Sequence, residues 1–381
     1  MSKPTILVTG ATGNTGGALV RLLLEQGFPV RAVVRGQDAR ARGLESLGAQ
    51  TVVADLFDPD QVHDALKGVQ RAYFVPVYHP HMIQSAVAFT DAAREARLES
   101  VVHLSQWLSH RHHPSAMTRQ VWLADRLFAG LDGVAVTVLN PGFFADNFLR
   151  VIDVATLMGV FPVLSGLGRA APVSNEDIAR VAAAVLADPA PHAGQTYRPT
   201  GPELLDGRGM AAAVARAIGR QVRPVDLPFW LFVKIARSQG IDPMILSGYR
   251  HYLADMVGGG FSVGGGVTDV VERIGGAKAE TFETIARRYA AQPFAKVTPL
   301  RRLAAMASFL VAPLKPGYDL DRWDRQMQFP APAAPSLSVD DARWRAEHGV
   351  DGGANGGANG GAGNAMAAPG AQSIALRRVM A

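Results

Sequence analysis

Hydrophobic and polar residues alternate along this chain in two different periods, and the first 150 residues switch regularly between them. Short β-branched runs at residues 5–9, 30–35, 50–54, 71–77, 100–105 and 135–140 have the length and composition of buried strands. Between them, apolar residues recur at helical spacing, as at 17–26, 81–97 and 118–129. Strand and helix in alternation predict right-handed crossovers and an α/β fold built on a doubly wound parallel sheet.

After Pro141 the pattern loosens. Helices are expected at 174–187, 209–218, 229–256 and 280–291, with one short strand at 195–199. Ser174, followed by Asn175, Glu176 and Asp177, reads as a helix N-cap, its hydroxyl taking an orphan backbone N–H. The expected organisation is a Rossmann-type nucleotide-binding domain over 1–150 and a smaller, mostly helical, interleaved α/β domain for substrate or partner over 151–298. A C-terminal extension follows over 299–350, then a Gly/Ala/Asn-rich tail over 351–381 whose GGANGGANGGAG repeat predicts a flexible linker. Within the extension, 303–314 is apolar for twelve residues, too short to span a bilayer. It reads as a helix that packs or meets a partner, with contact to a membrane surface as the alternative.

Composition narrows the functional classes. The chain has 48% hydrophobic and 19% charged residues over 381 positions, as a globular protein does. No secretory signal pattern precedes the apolar run at Ile6, so a cytoplasmic location is expected. Cysteine is absent, which removes disulfides, thiolate metal sites and cysteine nucleophiles. The net charge of +5 comes from scattered arginines without a recognition motif, so nucleic acid is not an expected partner.

The first strand runs into Val8-Thr9-Gly10-Ala11-Thr12-Gly13-Asn14-Thr15-Gly16. In a strand–turn–helix, Gly10 makes the tight turn, Gly13 lets the backbone approach a pyrophosphate, and Gly16 allows close packing of helix on sheet. Thr12, Asn14 and Thr15 can add side-chain hydrogen bonds at the helix N-terminus. An acid at the end of the second strand would select NAD; this chain has Arg35 there, whose planar fork matches the 2′-phosphate of NADP. Asp55 and Leu56 after strand three are expected near the adenine. Val75 and Pro76 after strand four are expected along the path to the ribose.

With VTGATGNTG, Arg35, the ADLFDP run at 54–59 and LNPGFFADNFL at 139–149, the sequence resembles the NmrA-like branch of the atypical short-chain dehydrogenase/reductase superfamily over about residues 4–295. The resemblance implies a Rossmann domain, a smaller interleaved C-terminal domain and NADP(H) binding. It does not imply catalysis, because the branch holds both reductases and dinucleotide-binding sensors or regulators. Typical catalytic members carry a Tyr-x-x-x-Lys pair on the helix after strand five, whereas this chain has no tyrosine between Tyr78 and Tyr197 and no lysine between Lys67 and Lys234. Ser105 corresponds to the substrate-orienting serine that such members often retain.

Other residues near the expected nicotinamide offer partial substitutes. His110, His112 and His113 follow strand five and are candidate general acids, since an unperturbed imidazole titrates near pH 6.5. Neighbouring histidines without a nearby carboxylate in sequence make a poor ligand set, so no metal is expected. Arg119 can hold an oxygen but not readily give up a proton. Trp107, Phe143 and Phe144 are candidates for an apolar pocket suited to a planar acceptor. Two functions are consistent with these residues: an NADPH-dependent reductase of a small quinone or carbonyl acceptor, or a non-catalytic NADP(H) sensor that acts through a regulatory protein partner.

Overall fold

The computed structural model describes residues 3–349, so the expected flexible tail over 351–381 lies outside the described residues. Strands β1 (Ile6–Val8), β2 (Val30–Val34), β3 (Gln50–Val53), β4 (Arg71–Phe74), β5 (Ser100–Leu104) and β6 (Ala135–Leu139) come first in the chain. Strands β7 (Val160–Val163), β8 (Thr196–Tyr197) and β9 (Arg223–Asp226) follow. Seven of them form one parallel sheet in the order β3-β2-β1-β4-β5-β6-β8, while β7 and β9 pair parallel in a small second sheet. This is the doubly wound α/β architecture that the alternating pattern predicts.

The period of two is visible residue by residue. Ile6 and Val8 of β1, with Val30, Ala32 and Val34 of β2, face one core; Leu7 and Val33 face the other. The first core is closed by α1 (Asn14–Glu25) and α2 (Ala39–Ser46). On the opposite face lie α3 (Pro59–Leu66), α4 (Met82–Glu95) and α5 (Ala116–Ala129), packed on Phe74, Val101 and their neighbours. Strand order reverses between β1 and β4, so the crevice above their carboxyl ends is the switch point where ligands bind in such sheets.

The chain leaves the sheet after β6 through α6 (Ala145–Leu149) and α7 (Ile152–Met158), then returns with α8 (Asn175–Ala187), which packs against α1. Ser174 caps α8 by accepting from the Asp177 N–H at 2.9 Å, as its sequence predicts. Beyond β8 come α9 (Gly207–Ile218), α10 (Phe229–Ser238), α11 (Pro243–Val257), α12 (Val270–Gly275) and α13 (Phe282–Ala290). A further core gathers α6, α7, α9, α11 and α13 around Phe143, Phe161 and Phe282.

One local expectation is refined and one corrected. The helical stretch expected over 229–256 divides into two helices, because Gly240 turns left-handed at φ 75° and Pro243 opens α11 under an Asp242 cap. The helix expected at 303–314 forms as α14 (Pro299–Val311) and a 3₁₀ turn at Ala312–Leu314, but it does not pack into a core: among the described residues α14 has no buried member. The extension continues through α15 (Leu320–Met327), a turn at Ser338–Asp340 and α16 (Ala342–Glu347). No helix among the described residues is long and apolar enough to cross a membrane.

Candidate functional site

The glycine turn lies at the carboxyl end of β1 and feeds α1. Gly10 adopts φ +61°, a left-handed conformation that favours glycine, and a Cβ there would stand 3.5 Å from Val75 of the neighbouring strand end. A Cβ on Gly16 would fall 2.3 Å from the Gly10 carbonyl oxygen, inside any real contact distance. Helices α2, α3, α5 and α8 take side-chain caps from Asp38, Asp58, Ser115 and Ser174, whereas no side chain caps α1 at Gly13 among the described residues. A close-packed glycine cradle and a helix N-terminus with free N–H groups fit an anionic pyrophosphate.

The side chains around the cradle are partly engaged already. Thr15 donates its hydroxyl to Asn175 Oδ1 at 2.7 Å, tying α1 to α8, so its backbone N–H is what remains for an anion. Asn14 Nδ2 donates to Asp146 Oδ1 at 3.3 Å, and Asp146 also accepts from Tyr289 of α13. Thr12 is half-buried beside them. A cavity of about 470 Å³ opens next to the turn, floored by Ala11 to Asn14 and flanked by Arg21, Arg40 and Arg288. Arg35 directly follows β2, exposed, with no hydrogen bond or ion pair among the described residues. Asp55 begins an Asx turn, accepting from the Phe57 N–H at 3.0 Å, and Leu56 packs on the α3/α4 core. Val75, held by its N–H to Thr9 Oγ1 at 2.8 Å, and buried Pro76 follow β4 over the switch point.

At the end of β5 a hydrogen-bonded cluster centres on a residue that sequence reasoning missed. Asp125, on the inner face of α5, accepts from Ser105 Oγ at 2.9 Å and Ser109 Oγ at 2.5 Å, and faces His103 Nε2 at 2.9 Å. His103 is buried and stacks on Phe128 at a centroid distance of 4.3 Å. Asp125 thus occupies the helix on which the tyrosine–lysine pair is lacking. Its signal in the sequence was an acid within an apolar stripe of Met117, Val121, Ala124 and Phe128. Gln106, also missed, is buried, and its Nε2 has no hydrogen-bond partner among the described residues.

The three candidate histidines face two aspartates that also bind the C-terminal extension. His113 accepts the Ser115 N–H on Nδ1 at 3.0 Å and faces Asp255 Oδ2 with Nε2 at 2.7 Å, so both ring nitrogens are occupied. His112 Nδ1 pairs with Asp341 Oδ2 at 2.7 Å. His110 is buried between them; burial and the neighbouring His113 push its pKa down to about 3, against a smaller opposing pull from Asp341. The same two aspartates bind extension backbone, Asp255 accepting from Ser338 N–H and Asp341 from Trp344 N–H, each at 2.8 Å.

The aromatic candidates divide between two surroundings. Trp107 donates to the Gly260 carbonyl at 2.9 Å, carries the Arg198 guanidinium 3.6 Å above its ring, and meets the edge of Trp344 at 5.6 Å. Burial lowers the Arg198 pKa to about 10. Trp344, fully buried, also donates to the Trp107 carbonyl at 3.2 Å and stacks on His348. Phe143 is buried among Phe148, Tyr252 and Phe261, while Phe144 bridges to Val173 and leans on the sheet core. Arg119 donates to the carbonyls of His113, Pro114 and Pro330, spending its fork on backbone. Ser105, Trp107 and Phe143 therefore gather at the ends of β5 and β6; Arg119 and His112 bind the extension directly, and His113 reaches it through Asp255.

Known proteins share this fold. The chain is 33% identical over 292 residues to the NAD(P)H azoreductase of Xenophilus azovorans, a match taking in 75% of this chain and 98% of that one. Quinone oxidoreductase 2 of Escherichia coli (strain K12) is 27% identical over 244 residues, 62% of this chain and 82% of the other. Among solved structures, the NADPH-dependent quinone oxidoreductase of Escherichia coli in complex with NADPH aligns with a TM-score of 0.63 at 25% identity, covering 74% of this chain and 99% of that chain. The sequence model of the NmrA-like family matches residues 2–257, and the chain belongs to that family.

Proposed function

We propose that this chain is an NADPH-dependent reductase of small conjugated acceptors such as quinones, azo compounds or activated carbonyls. The observation that carries the reading is the uncapped α1 N-terminus over a sterically closed glycine cradle, with an unpaired arginine at the end of β2 among the described residues. Relatives named as an NAD(P)H azoreductase and a quinone oxidoreductase support it.

When bound, NADPH supplies the hydride. The chain's own part is to bind and orient. Backbone N–H groups from Asn14 to Gly16, the Gly13 N–H being taken by the Gly10 carbonyl, would hold the pyrophosphate, and Arg35 would grip the 2′-phosphate through charge-assisted hydrogen bonds. Val75 and Pro76 would line the path toward the ribose. Ser105, fixed by Asp125, and the unpartnered Gln106 amide offer polar contacts to an acceptor heteroatom. Phe143 and Trp107 provide apolar surface for a flat acceptor. Water would deliver the proton, because His112 and His113 are paired with Asp341 and Asp255 and burial holds His110 neutral. Conjugated acceptors spread the developing charge and so need no tyrosine–lysine pair.

The lack of that pair also favours a second reading, a sensor that binds NADP(H) without turnover and reports to a protein partner. Incubating the purified chain with NADPH and a panel of quinones, azo dyes and aldehydes, while following loss of nicotinamide absorbance, separates the two. Turnover is expected. Arg35→Asp should weaken NADPH by roughly tenfold to a hundredfold, the worth of a charged hydrogen bond, and affect NADH little. Tight NADPH binding with no oxidation across the panel would refute the reductase. Equal affinity of the parent chain for NADH and NADPH would refute the role of Arg35.

A further inference from the structure

Helix α14 stands apart from every other long helix of the fold. It lies past residue 257, where the family match ends, and touches the body chiefly through α7. Its large apolar side chains point outward: Leu300 is 77% exposed, Leu303 65%, Leu310 76%, and Leu314 in the following turn 84%. At 100° per residue, Leu300, Leu303, Met306, Leu310 and Val311 share one arc of about 140°, with Arg302 just beyond its edge. A contiguous exposed apolar arc of this kind marks a docking surface.

The charges around it select the occupant. No aspartate or glutamate occurs from residue 284 to 318; of the basic residues there, Arg287 and Arg288 are paired with Glu283, Glu176 and Glu280, which leaves Lys296, Arg301, Arg302 and Lys315 without an ion pair among the described residues. Lys296 and Arg302 are exposed, and among the described residues their side chains form no ion pair. At the far end, Trp230 of α10 is 46% exposed beneath the Lys234 ammonium, 5.2 Å from its ring, and Lys234 also donates to the Pro313 carbonyl at 2.6 Å. An apolar stripe with a basic border and an amphipathic aromatic beside it is the pattern of a helix lying in a lipid headgroup layer. At 13 residues, or about 20 Å, it is too short to cross the roughly 30 Å hydrocarbon core. A second copy fits less well, since pairing two such helices brings basic border against basic border.

We infer that α14 is an interfacial docking element that binds this protein to anionic lipid bilayers. The inference stands apart from the reaction and does not depend on it. The test is flotation of the full chain with vesicles of phosphatidylcholine alone or with about 30% phosphatidylglycerol. Binding should favour the anionic vesicles and weaken as salt is raised. Leu303→Glu with Leu310→Glu should lower partitioning by about a hundredfold, near tenfold for each leucine kept out of the bilayer. Arg302→Glu should cost about tenfold on anionic vesicles and little on neutral ones. Both variants alter exposed side chains, and unchanged NADPH affinity and melting temperature verify their folds. Failure of the parent chain to float, or equal binding to both vesicle types, would overturn the inference. So would the finding that the double variant abolishes self-association while vesicle binding is absent.

Discussion

Two adjacent glycines in α1 give a controlled test of the cradle. A methyl group on Gly16 would lie 2.3 Å from the Gly10 oxygen, 2.7 Å from the Gly10 carbonyl carbon and 3.1 Å from Ala11 Cα. Real Cβ atoms keep at least 3.0 Å, so turn and helix must part by 0.7 Å or more, and the obstacle is backbone that cannot swing aside. Such overpacking costs about 1–3 kcal/mol, offset by the roughly 1 kcal/mol that alanine gains over glycine within a helix. On Gly17 the methyl would meet only the Ala11 oxygen at 3.3 Å and the end of Arg21 at 3.9 Å, which a few tenths of an ångström relieves. Gly17→Ala should therefore be neutral or slightly stabilising.

The two variants should separate most clearly in cofactor binding. Opening the turn withdraws N–H groups from the anion, and losing about 2–3 kcal/mol of such contacts weakens binding by roughly thirtyfold to a hundredfold or more. Fluorescence titration with NADPH, alongside urea denaturation of the unliganded chain, gives both quantities. Gly16→Ala should lose at most about 2 kcal/mol of stability but more in affinity, and Gly17→Ala should bind like the parent. Equal NADPH affinities for the two variants would refute the steric argument.

Other outcomes follow from the same coordinates. Trp344→Ala empties a fully buried indole site against Trp107 and His348 and should cost about 3–5 kcal/mol, read from the urea midpoint, if the extension unfolds together with the body. Asp125→Asn keeps the shape but weakens the acceptor shared by Ser105, Ser109 and His103; kcat for quinone reduction should fall about tenfold with the NADPH KM unchanged, which steady-state kinetics checks. His110 titrates near 6.5 when unfolded and about 3 when folded, so between those values the unfolded chain binds more protons and stability falls as pH falls. The slope contributed is up to about 1.4 kcal/mol per pH unit, flat above pH 7 and ending near pH 3. His110→Gln should flatten melting temperature against pH in that window, with His112, His113, His348 and Asp341 as the charges facing the site.

Where one face of an element packs against a uniform core, the sequence declares the structure. Residues Ile6, Leu7 and Val8 alternate between the two cores, and the runs around β2, β4 and β5 do the same, so the strand positions and the parallel order follow from pattern alone. Strand β9 shows the opposite case. Arg223-Pro-Val-Asp226 is exposed throughout and pairs with β7 only because tertiary contacts bring it there, so no periodicity marks it. The glycine turn was legible because its spacing answers a local steric demand, visible at Gly10 and Gly16 in three dimensions.

The cluster at β5 and the anchoring of the extension were illegible for a shared reason: each depends on partners distant in sequence. Asp125 meets Ser105 across 20 positions, and His112 meets Asp341 across 229. A histidine run read by itself suggests available acid groups; the same run with Asp255 and Asp341 becomes a set of fasteners for residues 336–348. That reassignment has a chemical consequence. A proton donor must change state during a catalytic cycle, and the His113 ring, whose nitrogens face the Asp255 carboxylate and accept the Ser115 N–H, would lose the Ser115 contact if Nδ1 took up a proton. His112 and His113 can anchor the extension or serve the reaction, and their hydrogen bonds, to Asp341 directly and to Ser338 by way of Asp255, commit them to the extension, while His110 sits buried with neither ring nitrogen hydrogen-bonded among the described residues.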